Sequence, residues 1–382
     1  MKFFFTEAQE MWDTTVNDFM DKEIGREYVR KCDMERQYPY EAWDKVVKQG
    51  WIGVMLPEEY GGMGADAMMY AIFIDAMAKY SYDFGVGTFG TPTFTVMNIV
   101  EHGTEEQKKR YLPAFCQGKA RFSISITEPD AGSDAANVST TAMLEGDHFV
   151  INGQKMFSTA AHARDNIIAV LAITNKNVPK KHHGLSLILV PKDTPGVEMR
   201  LLSTLARRAT GTNEIFFNNV RVPRENLLGE LNRGWNHILE HLEVERMVCA
   251  MGAVSNAQMA VTDAINYAKG RVQFGQPISK FQVIQHMLAD MQTEVDAAYL
   301  MSYRLAWLKS QGKRCPKEAS MAKLFATEVF IKTATNAMQI WGGYAQLPES
   351  DVERYWREAK QAMVGGGTSQ ILRLLIAREL GL

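Results

Sequence analysis

Hydrophobic positions recur along this chain with two different periods. Over residues 6–117 the apolar residues fall at helical spacing: Ala8, Met11, Trp12 and Val16 lie on one side, Phe19 follows, and the run from Tyr40 to Val47 repeats the pattern. Met55-Leu-Pro-Glu-Glu-Tyr-Gly-Gly-Met-Gly64 breaks it with a proline and three glycines, which predicts a loop. Residues 66–102 then read as a nearly buried helix with a Gly- and Thr-rich centre. Pro92 is expected to break or kink it. The small residues there suit either close helix packing or space for a ligand tail.

From 118 to 231 the period changes to two. Strands are predicted around Phe122, Ile124 and Ile126, over 148–152, 166–173, 184–191 and 213–223, with Pro191, Pro195 and Pro223 at strand ends or edges. Glu145-Gly-Asp147 reads as a hairpin tip, Asn152-Gly153 as a tight turn before a further strand to Thr159, and 175–183 as a solvated basic loop. Helical spacing returns at 235–272, 278–311, 316–341 and 350–363, with a last helix after Thr368. The pattern predicts an α+β chain: an N-terminal helical domain (1–117), a small middle β domain of barrel or sandwich type (118–231), and a C-terminal four-helix bundle (232–382).

Composition narrows the chemistry. A chain of 382 residues, 46% hydrophobic and 23% charged, can bury two or three packed cores. A net charge of -2 gives no general attraction to nucleic acid or an anionic membrane. Cys32, Cys116, Cys249 and Cys315 lie far apart, with no Cys-x-x-Cys pair and no histidine at zinc-ligand spacing from them. This favours a reducing compartment and argues against a structural metal. The N-terminal residues resemble neither a secretory signal nor a transit peptide, and no apolar run reaches membrane-span length, so the cytoplasm is the expected location.

The stretch most telling of function is Ile124-Ser-Ile-Thr-Glu-Pro-Asp-Ala-Gly-Ser-Asp134, a strand that opens into a loop rich in backbone and hydroxyl donors. Asn152-Gly-Gln-Lys-Met-Phe-Ser-Thr159 follows, with an aromatic and two hydroxyls. In this order and separation the two segments resemble the flavin-binding middle domain of the acyl-CoA dehydrogenase family, and the resemblance extends over essentially the whole chain, Pro57-Glu-Glu-Tyr-Gly-Gly62 included. It implies FAD as cofactor. Ile126, Thr127, Gly132 and Ser133 would meet the isoalloxazine and pyrophosphate region, with Ser133 also near substrate, and Phe157 and Thr159 would cover the ring face and its N5 edge. Phe157 replaces the family's usual Trp. From an adjoining subunit, Arg271, Phe274, Gln282, Gln339, Gly342 and Gly343 would hold the pyrophosphate and adenine end, although Ala345 stands where a third glycine is common. Thr368 and Gln370, at the start of the last helix, would contribute near the ring edge. Sharing of cofactors between chains implies a homotetramer, a dimer of dimers.

In the family the α-proton of the thioester is removed by a carboxylate while the β-hydrogen leaves as hydride to the flavin. The Glu that does so stands directly before Gly-Thr in a C-terminal loop. Here that loop reads Met363-Val-Gly-Gly-Gly-Thr368, and the matching position is Gly366. Helix 235–272 carries a substitute. Its apolar stripe runs through Trp235, Ile238, Leu239, Leu242, Val248, Cys249 and Gly252, and Glu245 falls on that stripe while Glu243 points about 160° away. A carboxylate on a core-facing stripe is desolvated, partnered or functional. Arg246 is its neighbour, as possible partner and as substrate contact. Glu245-Arg246 stands where the isovaleryl-CoA and long-chain branches carry a relocated base, and a desolvated carboxylate there has the basicity a general base needs. Gly366 keeps the backbone N–H that, with the flavin ribityl 2'-hydroxyl, stabilises the enolate oxygen in the family. Gly365 and Gly366 vacate the space of two side chains, suiting a branched or bulky acyl group.

The expected activity is α,β-dehydrogenation of an acyl-CoA to the trans-2-enoyl-CoA, with electrons passed to an electron-transferring flavoprotein. The crotonobetainyl-CoA reductase type shares the Gly loop and the Glu-Arg pair and would run the reverse reaction. Two more roles stay open: elimination of a group such as sulfinate by a base-free relative, and the non-enzymatic role of the DNA-associated flavoprotein branch. The last would need a basic C-terminal extension, which this sequence does not show.

Overall fold

The computed structural model describes residues 5–382. Helices α1 (Glu7–Phe19), α2 (Arg26–Glu35), α3 (Tyr40–Lys48), α4 (Ala67–Ala78), α5 (Thr91–His102) and α6 (Glu105–Cys116) lead the chain. Strands β1 (Arg121–Ser125), β2 (Thr141–Glu145), β3 (His148–Thr159), β4 (Asn166–Ile173), β5 (Leu185–Pro191), β6 (Val197–Leu201), β7 (Thr212–Pro223) and β8 (Leu227–Leu228) follow. Then come α7 (Gly234–Gly270), the hairpin β9 (Val272–Gln273) and β10 (Gln276–Pro277), α8 (Gln282–Ser310), α9 (Pro316–Trp341), α10 (Val352–Ala362) and α11 (Ser369–Glu379). Among the described residues no helix is long and apolar enough to cross a membrane.

The chain divides into two compact units, and the helices that precede the strands are shared between them. The first contains the segment up to Glu35, Asp66–Val86 and Glu243–Leu382. Its helices start where the sequence supplies caps. Thr6 and Gln9 form a reciprocal capping box on α1, and Trp12, Val16 and Phe19 are its buried residues. Trp12 Nε1 donates to Met69 O at 2.9 Å, tying α1 to α4. Asp351, 1% exposed in its side chain, accepts from Arg30 at 2.7 Å and pairs with Arg354 at 2.9 Å, so its burial is compensated. The predicted helix over 66–102 is instead two helices joined by a wide helical turn, Asp83–Gly90, and Pro92 sits in the first turn of α5, where its missing N–H costs nothing. Gly85 settles one of the two readings of the small residues at its own position. A Cβ there would lie 2.5 Å from Ala78 Cα, so the glycine serves close packing.

The second unit contains Arg36–Ala65 and Gly87–Leu242. Its sheet runs β6-β7-β3-β2-β4-β5-β8, with β1 pairing parallel to β4 from Arg121–Asn166 to Ser125–Val170. Phe149, Ile151, Ile168, Val170, Ile188, Val190, Phe217 and Val222 form its core. Period-two alternation puts one apolar set on the covered face, which is why these strands were legible. The Glu145-Gly-Asp147 turn joins β2 to β3, pairing Glu145 with His148 around Gly146 at φ 63°. Two expectations change. Strands β2 and β6 were not anticipated, and Asn152-Gly153 is no turn: β3 passes straight through it, with register shifts at Ile151/Gly153 and Lys155/Ser158 where β3 pairs with β7. At φ 146°, a Cβ on Gly153 would lie 2.7 Å from Thr140 Cα.

Gly153→Ala is therefore expected to destabilise the chain by about 2 kcal/mol, measured as a lowered urea midpoint at unchanged slope. An unshifted midpoint would mean that the strand relaxes around the added methyl.

Candidate active site

Helix α7 is buried on nearly all sides, and this changes the reading of its two carboxylates. Glu243 does not point to solvent. It is 7% exposed and accepts from Lys309 Nζ at 2.8 Å and from the Cys315 N–H at 3.1 Å. Burial, reinforced by that carboxylate, pushes the Cys315 thiol up to about 12. Glu243 thus forms a buried structural ion pair on this helix with Lys309. Glu245 is half-buried and lies beside the C-terminal loop: a Cβ built on Gly366 would stand 3.8 Å from Glu245 Oε1 and 3.3 Å from Cys249 Sγ. Arg246 is 6% exposed, with Nη1 3.5 Å from Ser320 Oγ, and burial lowers its pKa against the opposing pull of Glu245.

Gly366 and Gly367 take φ of 67° and 99°, the left-handed region in which a side chain is strained. Their loop is pinned from below. Lys323, wholly buried on α9, donates from Nζ to Gly367 O at 2.8 Å, and burial lowers its pKa while Cys249 and Glu245 act to raise it. Gly365 N–H donates to Gln361 O and Ser369 N–H to Met363 O, and among the described residues no backbone carbonyl takes the N–H of Gly366. Thr368 caps α11 by accepting from the Ile371 N–H at 3.2 Å, and Gln370 is exposed on its first turn.

In the second unit β1 ends at Ser125, and Ile126 and Thr127 follow, both half-buried. Gly132 and Ser133 are exposed, with no atom within 4 Å of a Cβ placed on Gly132. Beneath this loop is an ion pair that sequence reasoning missed. Lys155, with a side chain 0% exposed, reaches Glu128 Oε1 at 2.8 Å and Ile126 O at 3.0 Å. Glu128 also accepts from Ser139 N–H and Oγ, both at 2.6 Å, and from Thr140 N–H at 3.0 Å. Burial opposes the Glu128 carboxylate, but Lys155 and these donors outweigh it and take it down to about 2. Burial takes Lys155 down to about 8 against the pull of Glu128. Two residues on, Phe157 is 59% exposed at φ 58°, an outward aromatic on a strained bulge, and Thr159 is half-buried at the strand end. The signal for Lys155 was its place at an inward-facing strand position.

The first unit carries the remaining predicted residues. Arg271, Gly342 and Gly343 line a cleft of about 450 Å³ with Tyr267, Trp341 and Tyr344. Arg271 stands over the Tyr344 ring at 5.6 Å, and Trp341, whose buried Nε1 has no hydrogen-bond partner, stacks on Tyr267 at 4.3 Å. Phe274, 95% exposed at the β9–β10 tip, Gln282 at the start of α8 and Gln339 in the last turn of α9 all face solvent and lie outside that lining. An exposed basic group, open glycine backbone and an orphaned indole N–H fit the phosphates and polar ring of a dinucleotide.

Glu128→Gln is expected to cost about 3–5 kcal/mol, because the Lys155 ammonium stays buried without its counter-charge. Adding Lys155→Met should recover part of that loss, measured by urea unfolding. The sign in acid follows from the lowered carboxylate. Stability supplied by Glu128 is full above its ordinary 4.5 and is lost as pH falls toward about 2. A double variant no more stable than the single one would contradict the pairing.

Known proteins share this fold. The N-terminal, middle and C-terminal domains of acyl-CoA dehydrogenase match residues 6–119, 123–220 and 232–381. The probable acyl-CoA dehydrogenase YngJ of Bacillus subtilis is 40% identical, with 100% of both chains covered. The caffeyl-CoA reductase-Etf complex subunit CarC of Acetobacterium woodii is 36% identical over 99% of both. The structure of butyryl-CoA dehydrogenase from Megasphaera elsdenii superposes with a TM-score of 0.94 at 32% identity, covering 100% of both chains. Proteins of this kind are flavoprotein oxidoreductases, normally with FAD, that act on acyl-CoA. With matches to all three of its domains and relatives of equal length, this chain belongs to the acyl-CoA dehydrogenase family.

Proposed function

We propose that this chain is an FAD-dependent enzyme of α,β-dehydrogenation in which Glu245 on α7 is the base. The observation that carries the reading is the proximity of the Glu245 carboxylate to the side-chain-free Gly366. Glu245 takes the α-proton of the thioester, and the Gly366 N–H donates to the thioester oxygen as charge develops there. FAD, when bound, supplies the acceptor for the β-hydrogen as hydride. The product is the trans-2-enoyl-CoA. Lys323 holds the loop so that its amide is in place before substrate arrives, a preorganised donor of the kind that lowers such barriers most.

Ile126, Thr127, Gly132, Ser133, Phe157 and Thr159 would hold the flavin end. Phe157 offers a ring face to stack on, and the Glu128–Lys155 pair fixes the loop by holding Ile126 O. Arg271, Phe274, Gln282, Gln339, Gly342 and Gly343 would serve the dinucleotide of an adjoining chain, which their exposure suits, and Thr368 and Gln370 would lie near the ring edge. That sharing, together with the family resemblance, supports a homotetramer of two cofactor-sharing dimers. Ser133, Arg246, Gly365 and Gly366 are assigned to the substrate. An acyl group bulky at the β-carbon is the substrate class we assign, although the space beside both glycines is partly taken: a Cβ on Gly365 would lie 3.0 Å from Gln361 Nε2 and one on Gly366 3.3 Å from Cys249 Sγ.

Reduction of an enoyl-CoA is the second reading, and the name of the Acetobacterium woodii relative favours it: that protein is a caffeyl-CoA reductase subunit in an Etf complex. An aryl group on the β-carbon is bulk of that class, and an electron-transferring flavoprotein is the corresponding partner. Direction is set by the redox partner and flavin potential, with the same proton-transfer residue in both.

Two measurements test the proposal. Glu245→Gln should slow flavin bleaching by an acyl-CoA by roughly a hundred- to ten-thousandfold while FAD stays bound; bleaching at the full rate would refute the base assignment. A panel of straight, branched, charged and aryl CoA esters should give fastest flavin reduction, or fastest reoxidation by the enoyl ester, with a β-substituted member. Preference for short straight chains would remove the bulky-substrate assignment.

A further inference from the structure

Helix α5 ends on Glu101-His102, and the first turns of α7 carry His237, Glu240 and His241, all within the second unit. These side chains converge. One ligand atom each from Glu101, His102 and His241 lies within 4.8 Å of the others, and His241 Nε2 stands 3.4 Å from Glu101 Oε2. Two donors of a tetrahedral ion with bonds of about 2.0–2.1 Å lie about 3.3 Å apart, so the His241–Glu101 separation is already that of a coordinated pair.

Two of the imidazole nitrogens here, on His102 and His237, are buried without a hydrogen-bond partner. His102 Nε2 is buried and makes no hydrogen bond, although Glu240 Oε2 is only 2.9 Å away. The two atoms are close but not aligned as donor and acceptor. His237 is 5% exposed, its Nδ1 has no hydrogen-bond partner, and its ring stacks on His102 at 4.0 Å. Gly229 makes room for that ring: a Cβ there would lie 2.3 Å from His237 Cε1. Two carboxylates, Glu101 and Glu240, add negative charge, and His102 is the last residue of α5, where the helix carbonyls also favour a cation.

We propose that Glu101, His102 and His241 form a binding site for a divalent transition-metal ion of the zinc class, with a fourth position open to water. Two imidazoles and a carboxylate are the donor set that zinc takes with one open position. The ion would clamp the end of α5 to the beginning of α7, four residues before Glu245 on the same helix, and act as a structural tie with no part in the redox step. His237 keeps the His102 ring oriented by stacking. This inference is independent of the proposed base.

The test is isothermal titration of the tag-free, EDTA-treated, flavin-loaded protein with Zn²⁺, alongside Glu101→Ala and His102→Gln. Glu101 is exposed, so its variant is expected to fold as the wild type does. The wild type should bind one ion per chain with micromolar or tighter affinity and melt at a higher temperature with Zn²⁺, and each variant should bind at least about tenfold more weakly. Absence of saturable binding in the wild type, or unchanged stoichiometry and affinity in both variants, would overturn the site.

Discussion

The buried Lys323 ammonium holds the Gly367 carbonyl, and the chemistry proposed for this chain depends on that contact. It fixes a loop of three glycines beside α7. A substituent on Gly366 would begin at an unfavourable φ, press on Cys249 Sγ at 3.3 Å and meet the Glu245 carboxylate at 3.8 Å. Two carboxylates so placed would repel, and one of them would give up its charge. A helix carboxylate and a bare loop amide are therefore one arrangement. The position that loses its side chain keeps the N–H, the group an enolate oxygen needs.

The second unit uses the same device for another purpose. Glu128 and Lys155 are both buried, and the pair is tolerated because five polar contacts meet its charges. What it holds is the backbone from Ile126 to the loop beyond, while the bulge after Lys155 turns Phe157 outward at a strained φ. An exposed aromatic on strained backbone over a rigid ionic base is what a flat ligand needs, and packing alone does not ask for it. Each unit thus keeps its proposed ligand surface stiff with a buried lysine bonded to a carbonyl.

Much of this was legible in the sequence because the hydrophobic period changes sharply near residues 118 and 231, and because prolines close β5 and β7. Glu245 and Gly366 could be paired by resemblance, and the structure sets them side by side. Where the reading went astray, the cause is physical. Helix α7 is covered on nearly every side, so face counting misplaced Glu243, which is buried against Lys309. Asn152-Gly153 has the composition of a turn, but glycine there serves a close approach to Thr140. Strands β2 and β6 are short, half-exposed pieces with weak alternation, and β6 lies at the sheet edge. Lys323 and the imidazoles of α5 and α7 find their partners far along the chain, and no local pattern announces a contact made at long range.

The central claim is that Glu245 removes the α-proton of a CoA thioester. Its most direct measurement is α-hydrogen exchange with D₂O in a saturated CoA ester that bears no hydrogen on its β-carbon, followed by NMR, since that ester can only be deprotonated. The account predicts enzyme-dependent exchange in the wild type that Glu245→Gln slows at least about a hundredfold. Exchange at the wild-type rate in that variant would contradict it.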